Sequence, residues 1–464
     1  MEDSANSGLL ATAKQIHNET ALLVQQLQLV SIEEPSAEPN CATALWETHN
    51  SSIKAASNRI VALSRSLAQT IDGPKRYLWE FVGGAHYTTA SLATILEFSV
   101  LEKIPLDGEA HVSHLAQACG LGEDKLLRLL RMIACDKVVY ETRDSYFRHS
   151  SISAVLVTDK YTRALMEMQL GEASRASTHL AETLKENPGD NRSGFCAFKS
   201  AWGEVPFQWY ANHPERARRF ALAMEGTTRG NIFSRSAPAD LLTLTYWHLG
   251  LGWSLDLIHR WFEANEICDN DLVIDVGGGS GHVCVSLAKA FPTPSFIVQD
   301  LVDTMYQANL QGLPEALQKR FRFQRHDFLE PQPLSDASRV KVYLLRMVLW
   351  NWADDIAVKI LQTFVPVMKQ FPGISLLIND GIHCRPGILE PHVEKEIRQL
   401  DMAMMVMNNA KVREEHQWRE LLTKASPNFE LVRTEVEPSV AETVALMEVR
   451  WIDRTLQGAA QEDF

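Results

Sequence analysis

The apolar run Leu272–Val276 passes straight into Gly277-Gly278-Gly279-Ser280-Gly281, and an apolar stretch at helical spacing, Val283–Phe291, follows until Pro292 stops it. Strand, glycine turn and helix in that order let a ligand approach the main chain and meet free N–H groups at a helix N-terminus. An all-helical or all-β chain has no use for this order. From Leu272 onwards strands and helices alternate, which predicts an open, mostly parallel sheet, a Rossmann-like α/β domain. Further strands read as Ser295–Gln299, Arg322–His326, Val340–Leu345 and Ile374–Ile378, each followed by polar residues. Open α/β sheets bind ligands in the crevice beyond their strand C-termini, so those following residues are the candidate site.

The spacing here is Asp-x-Gly-x-Gly-x-Gly, with Asp275, Gly277, Gly279 and Gly281, not the Gly-x-Gly-x-x-Gly of dinucleotide binders. Asp300 closes the second strand roughly twenty residues later, where an acid accepts from both hydroxyls of a ribose. Asp327-Phe328 ends the third strand. A carboxylate there accepts from an adenine amino group, and a ring stacks on the base. Arg346 ends the fourth strand and Asn379-Asp380 the fifth. A glycine turn, two spaced acids and an aromatic ring, each at a strand end, point to S-adenosylmethionine.

Composition sets the frame. A chain of 464 residues divides, at roughly 100–200 residues per domain, into two or three units. The net charge is −13, and an excess of acid repels phosphate backbones and anionic lipid, which argues against nucleic acid or a membrane as partner. The seven cysteines contain no C-x-x-C pair. Such scattered thiols fit a reduced, cytoplasmic protein without a disulfide framework or a metal site. The start, MEDSANSGLL, lacks a basic segment followed by an apolar one, and no run approaches the roughly 18 apolar residues of a membrane span.

Four segments are expected. Residues 1–72 form a helical arm, with helices at Leu9–Leu29 and Ile53–Ile71 around a linker. Residues 73–165 read as three helices and a two-stranded wing (Val138–Tyr140, Tyr146–His149), a winged-helix-like pattern. Lys125, Arg128 and Arg131 share a face of the third helix, but Glu123, Asp124 and Asp136 flank it. That favours structural or dimerising use over DNA contact. Residues 166–260 are helical and aromatic-rich, a candidate pocket region, and residues 261–464 form the Rossmann-like domain.

The runs VIDVGGGSGHVCVSLAKAFP, HDF (His326–Phe328), YLLRMVLWNWADDIAVKIL, EIRQLDMAMMVMNNAKVREEHQW and VALMEVRW resemble the plant and fungal class I small-molecule O-methyltransferases. The resemblance spans roughly Gly73 to Trp451. It implies a winged-helix-like dimerisation domain ahead of the catalytic domain, and a homodimer with interlocked N-terminal regions. By position it assigns Gly277, Gly279 and Gly281 to the methionine end of the cofactor and Asp300 to its ribose. Asp327, Phe328 and Trp352 fall around the adenine, and Arg346 where the family often has a basic cofactor contact.

At the base the sequence departs from that family, which places a histidine in a His-Asp-Trp or His-Asn-Trp triplet. Here the triplet is Trp350-Asn351-Trp352. An indole N–H donates hydrogen bonds and takes no proton. The glutamate that orients the histidine, in a Lys-Glu-Arg run, is replaced in Lys411-Val412-Arg413. Asp380 is the supporting acid that remains. An offshoot of the family, the fungal S-adenosylmethionine-dependent pericyclases, keeps the cofactor without transferring its methyl. It converts alcohols or quinone methides of polyketide–peptide 2-pyridone pathways by dehydration and Alder-ene, Diels–Alder or hetero-Diels–Alder cyclisation. On that reading Trp350 and Val412 are cavity wall, Asn351 and Thr228 (or Thr227) are donors to a substrate carbonyl, and His179 closes the pocket from the N-terminal side. Two alternatives stand beside it. One is O-methylation of an already acidic phenol or enol, with His383 or His326 as substitute base. The other is a non-catalytic co-regulator of a pathway.

Overall fold

The computed structural model describes residues 8–39, 50–229, 253–265, 267–301, 313–383, 387–388, 391–436 and 444–454. The chain divides into two compact units. One is Met1–Glu172 with Leu222–His248 and Leu389–Lys395, and the other is Ala173–Ala221 with Leu249–Ile388 and Glu396–Phe464.

In the first unit the helix Leu9–Leu29 packs beside Ser51–Trp79. Asn50 caps the second helix by accepting from the N–H groups of Ser52 and Ile53. That helix runs further than the expected Ile71, but it is broken at Gly73 (φ 69°, ψ 169°). Pro74 restarts it, at a position where its missing N–H costs nothing. Ile71, Leu78, Trp79, Phe81, Val82 and Tyr87 leave large apolar side chains exposed along this stretch, Trp79 to 77%.

Helices Val112–Cys119 and Glu123–Cys135 meet at the left-handed Gly120. The wing is a three-stranded antiparallel sheet in the order β1-β3-β2, with β1 Glu109–His111, β2 Val139–Arg143 and β3 Tyr146–His149. The expected two-stranded wing is corrected by β1, whose Glu-Ala-His sequence carries no apolar alternation to betray it. Leu115, Leu126, Leu130, Ile133 and Phe147 form the core beneath. On the basic face, Arg131 grips Glu141 with two nitrogens and also pairs with Asp144.

The second unit carries a seven-stranded sheet in the order β6-β5-β4-β7-β8-β10-β9. The strands are β4 Leu272–Val276, β5 Ser295–Asp300, β6 Phe321–Arg325, β7 Val340–Arg346, β8 Ser375–Gly381, β9 Phe429–Val436 and β10 Val444–Trp451. The pairs from β6 to β8 are parallel, and β10 is antiparallel to both neighbours. One sheet face buries Ile274, Leu345, Ile378 and Met447 against Ile360, Phe364, Trp418 and Leu421. The strand order reverses between β4 and β7, and at that switch point the C-terminal strand ends open a crevice.

Candidate functional site

The glycine turn after β4 is held in a shape that side chains resist. Gly277, Gly279 and Gly281 all have positive φ (72°, 55° and 71°), a region glycine enters without penalty. The N–H groups of Gly277 and Gly278 donate to the Gln299 carbonyl at 2.9 and 3.1 Å, drawing the turn onto β5. A Cβ on Gly278 would lie 2.6 Å from Asp275 Oδ2 and 3.0 Å from Val298 Cγ1.

Acids surround the turn. Asp300 accepts from the Gly279 N–H at 2.9 Å and the Leu301 N–H at 2.7 Å. Burial nevertheless pushes its carboxyl up, against the pull of those bonds. Asp275, buried beneath the turn, accepts from the Cys284 thiol at 3.5 Å. Burial raises Asp275 to about 6, opposed by that thiol and by the Arg346 charge. Arg346 is itself buried at the end of β7, in register with Asn379 of β8. Asp327 is exposed and accepts from the Leu329 N–H at 2.9 Å. Phe328, beside it, meets the Trp352 indole edge-on, with centroids 5.8 Å apart at 76°.

On the β7–β8 side the character reverses. Trp350 sits in a tight turn, Leu349–Asn351, and is 5% exposed. Its N–H donates to Asp380 Oδ2 at 3.1 Å, while Asp380 Oδ1 accepts from the Gly381 N–H at 3.0 Å. Complete burial pushes the Asp380 carboxyl up to about 7. The indole lies against Gly381. A Cβ there would stand 2.6 Å from Trp350 Cε3 and 3.1 Å from Val412 Cγ1. Gly381 cannot recede, because its carbonyl accepts from the Trp418 indole at 3.2 Å. Trp350, Val412 and Val444 make one apolar cluster with Met347, Leu400 and Met404 around it.

The main chain around this cluster is fastened by charge. Asp401 accepts from the Val412 N–H at 2.8 Å, and His383 Nε2 lies 3.5 Å from its other oxygen. Burial would raise Asp401, but the bonds from His383 and Val412 prevail and hold it low. Arg413, fully buried, donates to the carbonyls of Leu349 and Trp352 at 3.0 and 2.8 Å and to Asp354.

Residues 257–427 match the O-methyltransferase domain family. The protein named O-methyltransferase phnC of Penicillium herquei is 32% identical over 433 residues, which cover 91% of this chain and 96% of that one. The chain belongs to the O-methyltransferase family. S-adenosylmethionine is the cofactor of that family. Among solved structures, OxaC superposes with a TM-score of 0.71 at 19% identity, covering 95% of this chain and 99% of that one. A structure described as a pericyclic reaction enzyme does so with a TM-score of 0.65 at 22% identity, covering 95% and 100%. At these identities both likenesses are of fold.

Within this O-methyltransferase-family chain, the residues singled out in the sequence fall into three groups. The glycines, Asp300, Asp327, Phe328, Trp352 and Arg346 all lie at strand C-termini or the turns that follow them. Trp350, Val412 and Asp380 come together in the apolar cluster and its support. Asn351 and His179 bond within their own chain segments. Asn351 donates its amide to the Met347 carbonyl at 2.8 Å, holding that residue's positive φ of 55°. His179 Nδ1 lies 3.1 Å from the Arg175 carbonyl and 3.2 Å from the Thr178 hydroxyl, both close by on its own chain segment. The side chains of Thr227 and Thr228 lie outside the described residues.

Gly381, Asp401 and Phe207 were not read from the sequence as site residues. Phe207 stacks on Trp352 with centroids 5.4 Å apart at 23°, and aromatic density in its region was its one signal. Among the described residues there is no cluster able to hold a metal ion and no helix long and apolar enough to cross a membrane.

Proposed function

We propose that this protein binds S-adenosylmethionine and works without a proton-abstracting base, as a pericyclase of fungal secondary metabolism. Its substrate is a polyketide-derived 2-pyridone, dehydrated to a quinone methide and cyclised by an Alder-ene, Diels–Alder or hetero-Diels–Alder step. The observation that carries this reading is the Trp350–Val412 contact across Gly381, which stands where the family's charged His–Glu pair is expected.

The residues present fit the cofactor. The glycine turn admits no Cβ at Gly278, and its positive φ angles suit Gly277, Gly279 and Gly281 to the methionine end. Asp300 takes the ribose, Asp327, Phe328 and Trp352 surround the adenine, and Arg346 adds a buried positive charge. When bound, the cofactor supplies a sulfonium charge that stabilises negative charge growing on a substrate carbonyl. The chain's own part is shape. Trp350 and Val412 form a rigid apolar wall that excludes water and holds a flexible polyene in a reactive fold, removing entropy before the reaction.

No other group in this cluster serves as base. Asp380, raised to about 7, has both oxygens turned to backbone N–H groups and no exposed surface. His383 has one ring nitrogen facing Asp401 and the other 3.5 Å from the Arg398 guanidinium. O-methylation of an acidic phenol or enol is the second reading, favoured by the name of the 32% identical relative.

Product mass separates the two readings. With cofactor and a 2-pyridone alcohol, loss of water or an unchanged-mass isomer with cofactor intact supports cyclisation. Gain of a methyl group with matching S-adenosylhomocysteine overturns it. The exposed apolar side chains between Ile71 and Tyr87, Trp79 among them, are suited to a second copy of the chain, since burial of apolar area drives association. Light scattering coupled to size exclusion tests the homodimer.

A further inference from the structure

Four aromatic rings run unbroken from the glycine turn. The Phe328 ring lies 3.7 Å from where a Cβ on Gly277 would stand. It meets Trp352 edge-on, Trp352 stacks on Phe207, and Phe207 meets Phe220 edge-on with centroids 6.4 Å apart at 88°. The first two rings sit at strand ends. Phe207 comes from elsewhere, as the second residue of the helix Pro206–Asn212. It is 41% exposed, yet its plane is only 23° from that of the indole it covers.

That near-parallel stack sets one face of Trp352, while the Arg413 bond to its carbonyl fixes the main chain below. Phe328 meets the same indole edge-on and leaves its tilt to the stacking partner. Offset stacking is the arrangement in which a second ring controls plane, a role an aliphatic side chain of similar bulk does not fill.

We infer that Phe207 is a positioning residue for the adenine half of the cofactor, acting through the plane of Trp352. The inference rests on the reading of Phe328 and Trp352 as the adenine surroundings, and it adds a residue from outside the sheet to that site. The full-length protein is titrated by calorimetry with S-adenosylhomocysteine and with 5′-methylthioadenosine, which carries the adenosine half and lacks the amino-acid end. Phe207→Leu should weaken both by a common factor of about five- to tenfold, the worth of a stacked pair. Phe207→Tyr, which keeps the ring, should bind both as wild type does. The melting temperature of both variants should stay close to wild type, since the side chain is partly exposed.

Unchanged affinity in Phe207→Leu overturns the inference. So does a loss seen with S-adenosylhomocysteine alone, which would place the effect at the amino-acid end, or an equal loss in Phe207→Tyr. Failure of the wild-type protein to bind S-adenosylhomocysteine is a different result: it defeats the cofactor reading itself, and this inference with it.

Discussion

Around β4, β5 and β6 the strand ends are lined by glycine main chain and carboxylates. Three glycines hold left-handed backbone, and two acids are carried above their ordinary range by burial. Around β7 and β8 the corresponding positions have settled into packing, with an indole lying on a glycine and a valine closing against both. Asp380 is raised by burial too, but both its oxygens hold backbone N–H groups beneath that packing, whereas the glycine turn offers main chain that a ligand can approach. On the proposed reading, the contrast separates a cofactor side from a cavity wall that transfers no proton.

The largest effect should come from Gly278→Ala, whose Cβ would meet Asp275 Oδ2 at 2.6 Å in a site walled by Val298. A loss of about 3 kcal/mol in urea unfolding is expected from overpacking of this kind. A stable Gly278→Ala protein with normal cofactor affinity would show the turn is slack.

Next comes Asp300→Ala. Removing an acceptor for two hydroxyls should weaken S-adenosylhomocysteine by about a hundredfold in calorimetry, from charged hydrogen bonds worth about 1.5–3 kcal/mol each. On the opposite side, Trp350→Phe should leave that affinity unchanged and alter the product distribution. An equal loss of cofactor affinity in both variants would erase the distinction between the two sides.

A third experiment tries to turn the apolar side back. Trp350→His alone leaves the imidazole with Val412 where an orienting acid is needed, so it should not support methyl transfer. The double variant Trp350→His, Val412→Glu restores the pair. It should form S-adenosylhomocysteine with a phenolic acceptor about tenfold or more faster than the single variant, within the range of general-base contributions. Robust methylation by Trp350→His alone would contradict the account of Val412.

A fourth experiment concerns pH. Asp380 is raised from 3.8 to about 7, so between those values the folded protein holds a proton that the unfolded chain releases. Stability from this group is therefore greatest below that window and is lost as pH climbs through it. Asp380→Asn should remove one proton's share of the slope, about 1.4 kcal/mol per pH unit within the window. An unaltered slope, read from urea midpoints at several pH values, would mean that Asp380 is ionised throughout.

Much of the sheet was legible because its buried strands are short apolar runs bounded by turn residues, and β4 falls on the expected residues. The strand β9 was not read, since Phe429–Val436 mixes Glu, Arg and Thr into its pattern, as befits an edge. The places of Asp300 and Phe328, at or just after a strand, were legible because strand and turn follow from the sequence pattern. Gly381 was not, because its importance is the absence of a Cβ beneath a ring that lies 31 positions earlier in the chain. Asp401 was hidden for a similar reason. Nothing in a helical Gln-Leu-Asp-Met run announces that its carboxylate will hold the N–H of Val412.

Arg413 has a consequence for how such a chain changes over time. Its guanidinium binds the carbonyls of residues 349 and 352, one on each side of position 350, and it is itself the neighbour of position 412. The fixed points are thus the residues next to the variable ones, and they are fixed through groups that every amino acid shares. The main chain on either side of 350 is thus held whatever side chain stands there. On the proposed reading, a chain fastened this way exchanges an ionic pair for an indole and a valine, and one kind of chemistry for another, without having to rebuild its fold.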